Sequence, residues 1–344
     1  MLRRLSPAKA VIVIPVLALV IFMLMLVSYS RFGSGIVATE ETVWEVKRGD
    51  TLTRTVHRMA KAGLVDNPGP LVLLGILRGD AGDIKAGRYL FQPGMSPGEL
   101  LDAMITGSGQ KVGLTIPEGW SLAEVAQRVE ASQLGSAKGF LSLARDPVFI
   151  ASLKLPFPDK PTSLEGFLLP ETYFFSPQAG EAKVLRTAVE VFKERAAPML
   201  QQGAGKVGLT PYQAMVLASV VEKETGAAHE RPMIAGVFHN RLRSNMRLDS
   251  DPTVIYGIKN FDGNLTRRHL RTPTPYNTYR MKGLPPTPIT NPGMAAFKAV
   301  LDPAPVEYLF FVGKGDGTHF FSKDLKTHEA AVIKYQVRPA RRGN

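Results

Sequence analysis

Residues 209–226 read Leu-Thr-Pro-Tyr-Gln-Ala-Met-Val-Leu-Ala-Ser-Val-Val-Glu-Lys-Glu-Thr-Gly. Thr210 has the character of a helix N-cap, Pro211 suits the first helical position, and Gln213 three residues on completes a capping box. The pattern predicts a helix over 211–225 with a well-fixed start. At about 100° per residue, Leu217, Val220 and Val221, flanked by Ala214, share one apolar stripe. Glu224 follows Leu217 by seven residues, Val220 by four and Val221 by three, so it falls into that stripe. Glu222 and Lys223 fall toward the polar side. A carboxyl on an apolar face must find a donor or shift its pKa upward, because burying it ionised and unpaired costs several kcal/mol. A raised pKa is what a general acid needs near neutral pH. The alternative is a helix-end carboxylate that clears the core or pairs with Arg231 or Arg241.

Moving outward, a second helix is expected over 232–243, carrying His239, Asn240, Arg241 and Arg243. The segment 245–258 then supplies Asp249, Asp251, Thr253 and Tyr256, with Asp251 also readable as a turn residue before Pro252. Residues 270–294 form a loop rich in Pro, Asn, Gly, Thr and Tyr. Its length and polarity suit a binding loop better than a connector. Tyr276, Asn277 and Tyr279 offer flat rings and amide donors, the groups a carbohydrate groove needs. The plainer reading is that they cap and pack the loop. Upstream, Thr42-flanking residues 43–46 alternate like a strand, Asp50 or Thr51 caps a helix, a second apolar helix runs over 70–77, 87–91 is a strand, and Ser96 caps a third helix. Further elements are a strand at 112–116, a helix at 122–129, a long helix over 183–202, strands at 308–312 and 318–321, and a helix from 325 to 337. The mixture makes the fold class α+β.

Location is written at the N-terminus. Residues 10–30 are 21 positions without a charge, enough at about 1.5 Å per residue to cross a hydrocarbon core. Arg3, Arg4 and Lys9 precede this run, which places the N-terminus inside and the rest outside a cytoplasmic membrane. The organisation expected is a cytoplasmic tail 1–9, a transmembrane helix 10–30, a linker 31–42, a small module 43–107, a catalytic domain 108–338 and a basic tail 339–344. The formal charge of +12 favours anionic partners, and the absence of cysteine excludes disulfides and thiolate metal sites. No zinc-finger spacing, aromatic RNA-binding motif or lysine-rich tract points to nucleic acid. The six His are scattered without metal-ligand spacing, and no Gly-rich phosphate loop precedes a helix, so neither metal nor cofactor is expected.

Two resemblances add to this. The stretch "VKRGDTL" (46–52) resembles the start of LysM domains, which bind N-acetylglucosamine-containing glycans. The ordered motifs "EGFLLPETY" (165–173), "SVVEKET" (219–225), "ERPMIAGVFHNRL" (230–242), "RLDSDPTVIYG" (247–257), "TPYNTY" (274–279) and "GLPPTPITNPG" (283–293) resemble the YceG-like family of endolytic murein transglycosylases. The resemblance implies a lytic cut between N-acetylmuramic acid and N-acetylglucosamine in nascent glycan strands near the membrane. It also implies 1,6-anhydro-muramyl ends, termination of glycan elongation, and partnership with peptidoglycan synthases. The family's catalytic acid is the second Glu of the E-K-E-T motif, here Glu224. Asn240, Arg241, Asp251, Thr253, Tyr256, Tyr276, Asn277, Tyr279 and Asn291 are the expected substrate-binding residues. Two rivals remain. One is a non-catalytic, membrane-anchored glycan-binding scaffold. The other is a hydrolase with a second carboxylate roughly 5–9.5 Å away, drawn from Glu165, Glu171, Asp249 or Asp251.

Overall fold

Local capping chemistry starts many of the helices. Ser96 and Glu99 form a reciprocal capping box, as do Ser121 and Glu124, and Thr51 accepts the Arg54 amide. The computed structural model describes residues 19–30, 36, 40–107, 111–159, 161–177, 179–224 and 227–337. The expected tails 1–9 and 339–344, residues 10–18 of the expected span, and most of the linker lie outside them. Among the described residues, 19–30 form helix α1, with Leu19, Phe22, Leu24 and Met25 exposed, and no helix is long and apolar enough to cross a membrane.

The chain divides into two units, Met1–Val112 and Gly113–Asn344. In the first, β1 (Thr42–Val46), α2 (Leu52–Lys61), α3 (Pro68–Leu77), β2 (Gly87–Phe91) and α4 (Pro97–Thr106) follow one another. β1 and β2 pair antiparallel with Trp44 opposite Tyr89. Their inward side chains Val46, Tyr89 and Phe91 meet Leu52, Val56 and Met59 of α2, Leu71 and Leu74 of α3, and Leu100, Leu101 and Met104 of α4. Leu26 and Tyr29 of α1 pack on this core.

In the second unit, β3 (Val112–Ile116) pairs with β4 (Glu171–Phe175). Between them lie α5 (Leu122–Ala131), α6 (Ala137–Leu143) and α7 (Pro147–Ser152). After β4 come α8 (Glu181–Arg195), α9 (Ala197–Gly203), α10 (Pro211–Glu224), α11 (Arg231–Arg243), α12 (Asp251–Tyr256), α13 (Arg267–Arg271) and α14 (Met294–Leu301). The hairpin β5 (Phe310–Gly313) and β6 (His319–Ser322), with Phe311 opposite Phe321, precedes α15 (Leu325–Val332) and a π-helical turn at Ile333–Val337.

Helix α10 is the axis of this unit, packed by α9, α11, α12 and α14. Its capping box is in place: Gln213 N donates to Thr210 Oγ1 at 3.1 Å, and Thr210 N to Gln213 Oε1 at 2.9 Å. Two expectations are corrected. The single helix over 183–202 is two, α8 and α9, joined at Ala196. Pro198 has no amide to donate and its ring clashes with the carbonyl four residues back, so one helix cannot run through. The polar side expected for Glu222 is also absent, because every residue of α10 from Ala214 to Glu222 is buried.

An aromatic cluster of Phe157, Phe167, Phe192, Tyr212 and Phe297 fills the space beside α8–α10. Gly166, next to Phe167, has φ +86°, and a Cβ there would lie 2.6 Å from Pro288 Cγ. Gly166→Ala is therefore expected to cost more than about 2 kcal/mol, a fall of at least about 4 °C in melting temperature. Gly180→Ala is the control, because Gly180 has φ +84° with nothing within 4 Å. It should lose only about 1–2 kcal/mol from backbone strain. Equal losses in the two variants would show that the Pro288 contact gives way without cost.

Candidate active site

Glu224 closes α10 as a part-buried residue. Among the described residues its Oε1 accepts one hydrogen bond, from Ser250 Oγ at 2.5 Å, and its Oε2 accepts none. Desolvation by burial dominates and pushes its carboxyl up to about 7. The Ser250 hydroxyl and the charge of Arg241 oppose this rise, and the charge of Asp251 adds to it. The carboxyl therefore holds its proton for a substantial part of the time near neutral pH.

Ser250 is delivered by an unusual stretch of chain. Asn245 and Asp249 both have positive φ, +52° and +48°, which bends the chain back after α11. Ser250 N then accepts the role of donor to Thr278 Oγ1 at 3.0 Å, and Thr253 Oγ1 donates to Ser250 O at 2.6 Å. Ser250 is the N-cap residue of α12, yet it caps no amide of that helix. A capping hydroxyl is ordinarily worth about 1 kcal/mol to a helix. Here it is turned toward Glu224 instead.

A second carboxyl is tuned the same way. Glu165 is 2% exposed and burial pushes it up to about 7. Its Oε1 accepts the Leu122 amide at the start of α5 at 2.9 Å, and its Oε2 accepts Tyr256 Oη at 3.0 Å. Ser250 and Tyr256 stand at the two ends of α12, so this short helix touches both carboxyls.

The expected site residues divide by what their polar groups do. Arg241 is buried, with Nε on Leu309 O at 2.7 Å, Nη1 on Leu248 O at 2.7 Å, and Asp249 Oδ2 at 3.6 Å. It braces the 247–249 turn and supplies positive charge to Glu224. Asn240 Nδ2 donates to Val306 O and Tyr308 O. Thr253 is fully buried and shares a 2.8 Å bond with Thr278. Asn277 is fully buried, its Nδ2 donating to His269 O, Leu270 O and Thr272 O, its Oδ1 accepting Tyr279 N. Asn291 is fully buried too. Its Oδ1 accepts the Gly166 and Leu168 amides, both at 3.0 Å, and its Nδ2 donates to Trp120 O. The side chains of Thr253, Asn277 and Asn291 are thus committed inside the protein and hold backbone. Tyr276, Tyr279 and Asp251 keep some exposure: Tyr279 Oη donates to Asp251 Oδ1 at 2.8 Å, and the rings of Tyr256 and Tyr276 meet edge-to-face at 4.9 Å.

Sequence reasoning passed over Ser250 and Thr278. Ser250 before Asp251-Pro252 has the form of an N-cap ahead of an early helical proline, a signal that was available. Arg231, offered as a partner for Glu224, bonds Glu222 Oε1 at 2.9 Å instead, and Gly293 N donates to Glu222 Oε2 at 2.9 Å. Among the described residues no three or more His, Asp or Glu side chains gather as a metal-binding group.

The family model described as the YceG-like family matches residues 44–334. The chain belongs to the YceG-like family. An endolytic murein transglycosylase of Bacillus subtilis (strain 168) is 31% identical over 267 residues, covering 74% of each chain. One of Streptococcus pneumoniae (strain D39) is 27% identical over 281 residues, covering 74% of this chain and 51% of the relative. The crystal structure of a YceG-like protein from Listeria monocytogenes superposes with a TM-score of 0.60 at 29% identity, over 85% of this chain and 99% of that one.

In this YceG-like chain the two tuned carboxyls have a stability consequence. Below about pH 4.5 both folded and unfolded states keep these protons. Between 4.5 and about 7 the unfolded chain releases them while the folded chain retains them. Stability contributed here falls as pH rises through that window and stays lost above it. Glu224→Gln and Glu165→Gln should each gain in denaturation midpoint relative to the unsubstituted protein between pH 4.5 and 7.5. A pH-independent difference in either variant would contradict the raised pKa at that residue.

Proposed function

We propose that this chain is an endolytic murein transglycosylase that cuts glycan strands with Glu224 as its single catalytic carboxyl. The observation that carries this reading is a carboxyl that burial makes protonatable near neutral pH, with one oxygen fixed by Ser250 and the other without a hydrogen bond among the described residues. The family membership and the transglycosylase relatives support it. In the first step the protonated Glu224 gives its proton to the glycosidic oxygen between N-acetylmuramic acid and N-acetylglucosamine. The resulting carboxylate then takes the proton of the muramyl O6 hydroxyl, whose oxygen attacks the anomeric carbon. The leaving sugar departs with a new hydroxyl, the muramyl end closes as a 1,6-anhydro ring, and Glu224 ends protonated. A pKa near the working pH serves both halves of this cycle. Developing carboxylate charge on Glu224 meets the Ser250 hydroxyl and the Arg241 guanidinium.

The same reading places the chain at the cytoplasmic membrane with its N-terminus inside, anchored through residues 10–30. Its action there is on nascent strands, alongside peptidoglycan synthases. The run of charge-free residues at 10–30 supports the anchor. The strand–helix–helix–strand order of β1, α2, α3 and β2, with "VKRGDTL" at the start of α2, supports a LysM-like glycan-binding module.

A hydrolase needs a second carboxylate. Glu165 is buried with both oxygens engaged, Glu171 pairs with Arg195, and Asp249 sits against Arg241. Asp251 is exposed, follows Ser250 directly and favours this second reading. Product mass separates the two, since hydrolysis adds one water that lytic cleavage does not.

Glu224→Gln should retain the fold and release no anhydro-ended fragments from purified peptidoglycan, read by mass spectrometry. Undiminished release would sink the assignment. Two further variants test the electrostatics. Ser250→Ala removes a group that lowers the Glu224 pKa, so the alkaline limb of kcat/KM should move to higher pH. Asp251→Asn removes a charge that raises it, so that limb should move to lower pH. Loss of all cleavage in Asp251→Asn, with water-added products from the unsubstituted protein, would favour the hydrolase.

A further inference from the structure

The loop that frames Glu224 carries a one-signed surface that the mechanism leaves unused. Residues 259–282 hold six cations, Lys259, Arg267, Arg268, Arg271, Arg280 and Lys282, against one acid, Asp262. All six are exposed. Among the described residues none of them reaches a carboxylate within ion-pair distance or donates a side-chain hydrogen bond. Nearby cations behave otherwise: Arg231 is paired with Glu222, and Arg241 and Arg247 with Asp249. Surface charges of one sign repel one another, and protein surfaces ordinarily intersperse both signs unless the field has a use.

This surface is tied to the acid by short polar links. Asn277 Nδ2 holds the last carbonyls of α13, which carries three of the arginines. Its neighbour Thr278 bonds Ser250, and Ser250 bonds Glu224. Tyr279, between Thr278 and Arg280, bonds Asp251 on α12. At physiological salt, exposed charges act over about 8 Å, so cations placed here serve a ligand already lying in the site more than a distant one.

We propose that the 259–282 surface binds carboxylate groups carried by the glycan strand, those of its peptide substituents, while Glu224 acts on the backbone sugar. The inference rests on the glycan-cleaving reading above. Guanidinium groups match carboxylates in a planar, two-pronged geometry, which gives position along the strand as well as affinity. Such contacts are made equally before and during bond cleavage, so their loss is expected in KM with kcat little changed.

The test uses the full chain in detergent and two substrates. One is native peptide-bearing strands. The other is the same strands after conversion of their carboxyl groups to neutral amides. The variant is Arg267→Glu, Arg268→Glu and Arg271→Glu together, three exposed side chains with no ion-pair or side-chain hydrogen-bond partner among the described residues. On native strands it should raise KM about tenfold with kcat within about twofold. On amidated strands the variant and the unsubstituted protein should agree within about twofold. An unchanged KM on native strands, or an equal rise on both substrates, overturns the proposal. Failure of the unsubstituted protein to release anhydro ends from native strands is a distinct result and overturns the functional reading beneath it.

Discussion

Helix α10 is enclosed by protein from Ala214 to Glu222 and then ends on a carboxylic acid. A helix in that position must have each of its side-chain polar groups met from a neighbouring segment, because an unmet one costs about 1–3 kcal/mol and an unpaired charge more. Ser219 Oγ donates to Val216 O and accepts the Ile289 amide. Glu222 takes Arg231 from α11 and the Gly293 amide ahead of α14. Glu224 takes Ser250 ahead of α12. Three separate stretches of chain are registered against one helix by three side chains on it. The loop that frames the site is therefore positioned by the same bonds that make the core tolerable.

Two carboxyls on one helix, two residues apart, come out with opposite character. Glu222 has a guanidinium on one oxygen and a backbone amide on the other, and charge-assisted bonds of this kind, each about twice as strong as a neutral one, hold its side chain in place. Among the described residues Glu224 has a single hydroxyl. The charge of Arg241 also favours its ionised form, as the smallest of the named influences, and that guanidinium at the same time holds the Leu309 and Leu248 carbonyls and Asp249. Burial then outweighs these donors and pushes the carboxyl up to about 7. The two carboxyls thus differ in the number and charge of their donors among the described residues.

The parts of the fold legible in the sequence are those decided by local chemistry. Thr51, Ser96, Ser121 and Thr210 cap helices through contacts three residues long, and no tertiary knowledge is needed to find them. Strand limits at Gly87–Phe91 and Val112–Ile116 follow from alternation and flanking turns. What failed was reasoning that assumed one apolar face. A helical wheel for α10 separates Glu224 from Glu222 by angle, but a helix buried all round has no polar side, and Glu222 is the more deeply buried of the two. The wheel separates the two carboxyls for a reason that is only half right. Short elements were missed where pattern needs length: α6, α7, α12 and α14 span at most eight residues, about two turns. Pro198, at the start of α9, is a local signal of the same kind, and it marks the break from α8.

The loop at 272–293 shows why composition alone could not name the sugar contacts. Irregular backbone carries amides and carbonyls with no ladder to satisfy them, and near a core each needs a partner. Asn offers two donors and two acceptors on a short stem, so it is an economical hub for such a loop, and Asn277 and Asn291 each gather backbone from elsewhere in the chain. The same amide in an open groove would face an N-acetyl group. Residue type is common to both uses, and burial distinguishes them: the two Asn are closed off, whereas Tyr276 and Tyr279 keep exposed surface next to α12. The buried amides thus hold the loop on which the partly exposed rings sit. The amides and the rings of the segment therefore sit in different environments, the first closed off and the second partly exposed.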